Sequence, residues 1–162
     1  MDLYILRHSD AAPHGSMRDA DRPLTAEGIA KMTKLAKAMR KMDLSFDAIL
    51  SSPYVRAKET AEITGEILEC KAPVKFTPNL ASDGNPSTLL KEIKEDYPRS
   101  GSILIVGHEP YLSGLISVLI SGRADISIRL RKAGLCKLAV EGLRLGKCAT
   151  LEWLISPSQL VY

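Results

Sequence analysis

Three short, largely apolar runs, residues 3–6, 46–50 and 102–106, constrain this chain more than any other feature of its sequence. Each stops abruptly at polar or chemistry-bearing residues: Arg7-His8, Ser51-Ser52-Pro53 and Gly107-His108. Runs of four or five residues are too short for helices, and an apolar run without alternation suits a strand covered on both faces, as in a parallel sheet between helices. Between them the period changes from continuous to helical. Thr25 offers an N-cap, Glu27 complements the helix dipole, and Ile29, Met32, Leu35, Ala36, Met39 and Met42 recur at spacings of three and four. Lys31, Lys34, Lys37 and Lys41 fall mostly off that stripe and are expected on its solvated face. After residues 46–50, Ser52 is expected to cap and Pro53 to begin a helix reaching about Cys70, with 74–76 a shorter strand. Asn85-Pro86 repeats that signal, with an apolar face of Leu89, Leu90, Ile93 and Tyr97 and a stop at Pro98. An apolar helix over 111–120 follows residues 102–106. Past Gly122 three strands are predicted, 125–130, 134–140 and 147–155. This order predicts an α/β fold: one three-layer α/β/α domain over residues 1–162, mostly parallel at its centre, with antiparallel C-terminal strands.

Composition narrows the function classes. A length of 162 residues suits one domain with its own core, and 45% hydrophobic and 25% charged residues exclude collagenous, disordered and disulfide-miniprotein classes. Twenty-two Lys and Arg against 19 Asp and Glu leave a net charge of +3. That excess is too mild to argue for nucleic acid, though it suits an anionic ligand. Cys70, Cys136 and Cys148 are scattered, without a C-x-x-C, and are expected as reduced thiols. No apolar run reaches the roughly 18 residues of a membrane helix. The first residues lack a signal-peptide pattern, so a cytoplasmic location away from membranes is expected.

The chemistry collects where strands end. Arg7-His8 follows the first run, Arg56 lies one turn beyond the second, and His108 follows the third. In open α/β sheets ligands bind outside the carboxyl ends of the strands. If these strands are parallel neighbours, two histidines and two arginines converge on one crevice. Two guanidiniums can fork onto one phosphate, and Arg56 also sits near a helix N-terminus, which favours an anion. An imidazole among such cations loses affinity for its own proton and stays neutral and nucleophilic at pH 7. No Walker loop and no H-E-x-x-H or comparable metal spacing is present, so neither a metal nor a cofactor is expected. Taken singly, Arg-His is a cheap dipeptide, Arg56 an ordinary helix arginine, and His14 an exposed loop residue without a role.

Taken together, the motifs resemble the histidine phosphatase superfamily, the phosphoglycerate mutase-like fold. Leu6-Arg7-His8-Ser9 resembles its Arg-His-Gly signature. Arg22-Pro23-Leu24-Thr25 with Glu27-Gly28 is similar to its R-P-L-T-x-x-G segment, and residues 51–61 to S-S-P-x-x-R-A-x-x-T-A. Val106-Gly107-His108 matches the second histidine motif. In length the chain looks most like the small SixA-type phosphohistidine phosphatases. The resemblance implies that His8 takes the phosphoryl group on a ring nitrogen and that Arg7, Arg56 and His108 complete the phosphate pocket. It places Arg22, and with it Asp19 and Ser9, on the substrate side. The implied activity is a metal-independent phosphatase acting on phosphohistidine in proteins. A phosphomonoesterase for a small phosphorylated metabolite and a non-catalytic phosphate-binding module are the alternatives.

Two departures from the family pattern matter. Ser9 stands where the signature has glycine, and would either crowd the site or donate a hydrogen bond to it. Larger members carry a glutamate acid after the third strand, where this chain offers only Asp83; Asp19 is the other candidate acid, with Asp21 and Glu109 behind it. An imidazole leaving group has a free pKa of about 6.5 and departs easily once protonated, whereas an alkoxide needs a well-placed donor. A weak acid site therefore favours N–P over O–P substrates.

Overall fold

The computed structural model describes residues 1–160. Its frame is a six-stranded sheet: β1 (Asp2–Arg7), β2 (Ala48–Ser51), β3 (Lys75–Phe76), β4 (Ser102–Gly107), β5 (Leu135–Val140) and β6 (Ala149–Ile155). The spatial order is β3-β2-β4-β1-β5-β6; β1 to β4 run parallel, and β5 and β6 are antiparallel additions. Five helices complete it: α1 (Ala26–Lys41), α2 (Val55–Ile67), α3 (Pro86–Asp96), α4 (Tyr111–Ser121) and α5 (Pro157–Leu160).

The continuous apolar strands are covered on both faces, which is why they lack alternation. Leu3 and Ile5 of β1 with Ile103 and Ile105 of β4 point to a core closed by Leu89 and Ile93 of α3 and Leu112, Leu115, Ile116 and Leu119 of α4. Tyr4, Leu6, Leu104 and Val106 point the other way, onto Met32, Leu35, Ala36 and Met39 of α1 and Ala57 and Ala61 of α2. The result is one α/β domain of three layers.

Helix starts follow the caps. Thr25 Oγ1 accepts from Gly28 N at 3.0 Å, and Asn85 Oδ1 accepts from Thr88 N at 3.1 Å with Pro86 in the first turn. The ends of the predicted α1 stripe, Ile29 and the C-cap Met42, are exposed. Ser52 does not cap α2. Tyr54 holds that position without a side-chain bond, and Ser52 Oγ accepts from Tyr54 N at 3.2 Å and lies 2.8 Å from His108 Nε2, just past β4. The clearest correction concerns residues 125–130, which form no strand. The β1 edge that would receive them is taken by β5, and the outer edge of β5 by β6. The segment is tied instead to α4 through Ile126 N to Ser117 Oγ, and of its alternating apolar residues Leu130 alone is fully buried.

Backbone proximity decides one glycine. The carbonyl of Asp10 accepts from Thr25 N at 3.0 Å and crosses the first turn of α1 so closely that a Cβ on Gly28 would stand 2.1 Å from that oxygen. Gly28→Ala is therefore expected to destabilise the fold by about 2 kcal/mol or more, the cost of a clash that only backbone movement relieves. Urea unfolding of the two proteins measures it, and an unchanged midpoint would contradict the crossing.

Candidate active site

The order β2-β4-β1 sets the C-terminal ends of three strands side by side, and with them residues far apart in sequence. His8 leaves β1 with its N–H bonded to the Gly107 carbonyl at the end of β4, 3.1 Å away. Its Nδ1 lies 2.7 Å from the carbonyl oxygen of Ser9. A carbonyl only accepts, so Nδ1 carries the hydrogen and Nε2 keeps its lone pair. Arg56, in the first turn of α2, donates from Nε to that Nε2 at 3.3 Å. The His108 ring lies 5.1 Å from the His8 ring, centroid to centroid.

Arg56 is 4% exposed, and its remaining nitrogens close on Asp19: Nη1 to the carbonyl at 2.7 Å and Nη2 to Oδ2 at 3.1 Å. Asp19 Oδ1 accepts in turn from Arg22 Nε at 2.9 Å, while Arg22 Nη1 holds the Ala12 carbonyl at 2.9 Å. His14, the loop histidine, also leans on Asp19, with Nε2 at 3.3 Å from Oδ1. Glu59 of α2 anchors the far end of the same loop by accepting from Leu24 N at 2.7 Å. The structure thus strings His8, Arg56, Asp19 and Arg22 into one line.

Arg7 enters from the opposite side. Its Nη1 donates to the Leu130 carbonyl at 3.1 Å, and its Nε is buried without a hydrogen-bond partner. His108 keeps Nε2 at 2.8 Å from Ser52 Oγ, and its Nδ1 is a second buried nitrogen without a partner among the described residues. Two buried nitrogens close to His8 are thus without a hydrogen-bond partner among the described residues. Ser9 is fully buried and its hydroxyl donates to the Gly28 carbonyl at 2.8 Å, so it fastens β1 to α1. Among the other carboxylates, Asp83 is exposed, Asp21 is paired with exposed Arg18, and Glu109 accepts from Ser113 N in the first turn of α4.

Three neighbours of the site lie inside the motif that carries Arg56, and their contacts with it were not legible in the sequence. Ser52 bonds His108. Thr60 donates to the Arg56 carbonyl at 2.7 Å and accepts from Ser9 N at 3.2 Å, and the Tyr54 ring packs 5.0 Å from His108 and 5.2 Å from the Arg56 guanidinium carbon. The Leu130 carbonyl had no signal at all, because residues 125–130 carry a strand pattern.

Burial is the main cause that lowers the His8 pKa from its ordinary value of 6.5 to about 4; the Ser9 carbonyl opposes this, and the Arg56 and Arg7 charges reinforce it. Burial, then His8 and Arg56, take His108 down to about 3. Both rings are therefore neutral at pH 7. For Asp19, burial would raise the pKa, but the bonds from Arg56 and Arg22 together outweigh it and the net shift is downward. Asp19 is held as a carboxylate and has no proton to give in this arrangement. No group of three or more His, Cys, Asp or Glu among the described residues is placed to hold a metal ion.

The depressed histidines carry a sign for stability. Between about pH 6.5 and pH 4 the unfolded chain binds protons that folded His8 and His108 refuse, so stability falls as pH drops through that window. Nuclear magnetic resonance titration of the ligand-free protein is expected to show both rings neutral at pH 6. A midpoint near 6.5 for either ring would contradict the burial account.

Residues 3–82 match the family model described as the histidine phosphatase superfamily, branch 1. Phosphohistidine phosphatase SixA of Escherichia coli K12 is 26% identical over 162 residues, covering 99% of this chain and 96% of that protein. The SixA homolog of Haemophilus influenzae is 30% identical over 138 residues, covering 78% and 82%. The solved structure of the protein histidine phosphatase SixA complexed with tungstate superposes with a TM-score of 0.86 at 24% identity, covering 99% of each chain, and shares the fold. Fold, motifs and kinship agree: the chain belongs to branch 1 of the histidine phosphatase superfamily and is a phosphatase of that family.

Proposed function

We propose that this phosphatase removes the phosphoryl group from phosphohistidine in proteins, through a phosphoenzyme on His8 Nε2. The observation that carries this reading is the pairing of a neutral nucleophile with an ionised Asp19. Nε2 has its lone pair free apart from the Arg56 contact, while the carboxylate nearest the site is held without a proton by two arginines. Such a site can attack phosphorus but supplies little help to a poor leaving group. Imidazole is the leaving group that needs least help, because it is basic enough to be protonated near neutral pH before the bond breaks. The kinship with SixA proteins points the same way.

Arg56 turns from Asp19 and His8 onto the arriving phosphoryl oxygens, and Arg7 meets them through its unpartnered Nε. With Ser52 donating its hydroxyl hydrogen to His108 Nε2, His108 carries its own hydrogen on Nδ1, the free donor for a third oxygen. The Nε2 lone pair forms the N–P bond as the bond to the protonated leaving imidazole breaks, and the Ser9 carbonyl steadies the Nδ1–H as charge develops on the His8 ring. Water then attacks phosphorus and loses a proton, the His8 N–P bond breaks, and phosphate and neutral His8 remain.

His8→Ala is expected to lower kcat at least about a thousandfold and to abolish phosphoenzyme trapped by rapid quench. Arg56→Ala is expected to cost about 100-fold or more in kcat/KM. An active, unlabelled His8→Ala protein would overturn the assignment. For the substrate, a phosphohistidine protein and an alkyl phosphate ester are compared at equal concentration. A clear preference for the phosphohistidine protein is expected, and equal kcat/KM on both would count against the reading.

A further inference from the structure

Beside the catalytic line, on the far side of Arg7, lies an open groove of about 440 Å3 lined by Arg7, Lys31, Arg131, Lys132, Ser156 and Ser158 together with Pro157. Its construction follows from the fold. The turn after Leu130 is bound to the end of β1: Ala133 N donates to the carbonyls of Arg7 and His8, and Arg7 N to the Gly134 carbonyl. Arg131 and Lys132 are thereby carried to the C-terminal end of the strand that presents His8. Lys31 faces them from the second turn of α1. Its position off the apolar stripe suggested simple solvation, but it is half-buried and bonded to Asp10.

The charge balance is lopsided. Four cations line the groove, and the one acid in contact with them among the described residues is Asp10, which bonds Lys31 and lies 3.7 Å from Lys132. Arg131 forms no ion pair and no side-chain hydrogen bond among the described residues. Lys31, Arg131 and Lys132, three of these four, share a single carboxylate; like charges in one concavity repel one another, and a second anion relieves that repulsion. Arg7 belongs to both regions: it lines the groove and immediately precedes His8.

We propose that this groove is a second anion subsite, which seats a carboxylate or phosphate carried by the substrate outside its scissile phosphoryl group, between Lys31, Arg131 and Lys132. The proposal rests on the phosphatase reading above, and it adds a specificity element that the nucleophile and phosphate pocket do not need. In a protein substrate the second anion is an acidic side chain flanking the phosphohistidine; in a small substrate it is a second charged group of the molecule.

Two substrate pairs test it on the intact protein and on the double variant Arg131→Gln with Lys132→Gln. One pair is a phosphohistidine peptide with flanking glutamates and the same peptide with glutamines. The other is p-carboxyphenyl phosphate and phenyl phosphate. The natural protein is expected to favour the more anionic member of at least one pair by about tenfold in kcat/KM, chiefly through KM, with the preference shrinking as salt is raised. In the double variant the ratio within that pair is expected to fall below about twofold. A ratio taken within one protein cancels any general loss of activity. The pair that responds identifies the source of the anion. Equal kcat/KM within both pairs, or a preference that survives in the double variant, overturns the subsite. Turnover of esters without turnover of either peptide instead refutes the phosphohistidine reading and leaves the ester pair to decide the subsite.

Discussion

A buried guanidinium resting against an imidazole is the interaction on which the site depends. Arg56 is almost wholly removed from solvent, and its charge is tolerable there only because every nitrogen has a partner: His8 Nε2, the Asp19 carbonyl and the Asp19 carboxylate. A protonated His8 would face Arg56 with a second positive charge. Burial and the neighbouring cations instead push its pKa down to about 4, so that the ring is neutral at pH 7. The condition that makes Arg56 tolerable is thus the condition that leaves His8 with a lone pair.

Holding those groups in register falls to the backbone around them. The Ser9 carbonyl fixes the tautomer of His8, the hydroxyl of the same residue ties β1 to α1 through Gly28, and Thr60 joins Ser9 N to the Arg56 carbonyl. A serine in the place of the signature glycine is accommodated because its side chain turns into the helix. The same crossing explains Gly28, whose missing Cβ makes room for the Asp10 carbonyl. The loop that carries Asp10, Asp19 and Arg22 is pinned at Thr25, at Glu59 and at Arg56.

Asp19 has two faces. In the empty site it is the counterion of Arg56 and Arg22, occupying guanidinium nitrogens that an incoming phosphoryl group would take. That exchange swaps one anion for another, so the buried charge on Arg56 is never left alone. Its cost as an acid catalyst is the lowered pKa that comes with the two ion pairs. On the proposed reading, the ease with which the leaving group departs, and not an added proton donor, separates good substrates from poor ones.

Much of this was legible in the sequence. Short apolar runs ending at Arg7-His8, Ser51-Ser52-Pro53 and Gly107-His108 determined which strands are buried on both faces and which residues stand at their ends, because chain-local patterns report burial and termination. Thr25 and Asn85 marked helix starts for the same local reason. What only tertiary structure decided was everything that depends on which neighbours arrive. Residues 125–130 have a strand's alternation but join no strand, and the edge of β1 is taken by β5. Ser52 reads as a cap but turns to His108, and Lys31 reads as solvated but meets Asp10. Asp19 became an ionised partner of two arginines because the loop folds back across α2. A side chain's role as cap, counterion or acid is set by distances across the fold, and those are fixed by strand order, which no local pattern encodes.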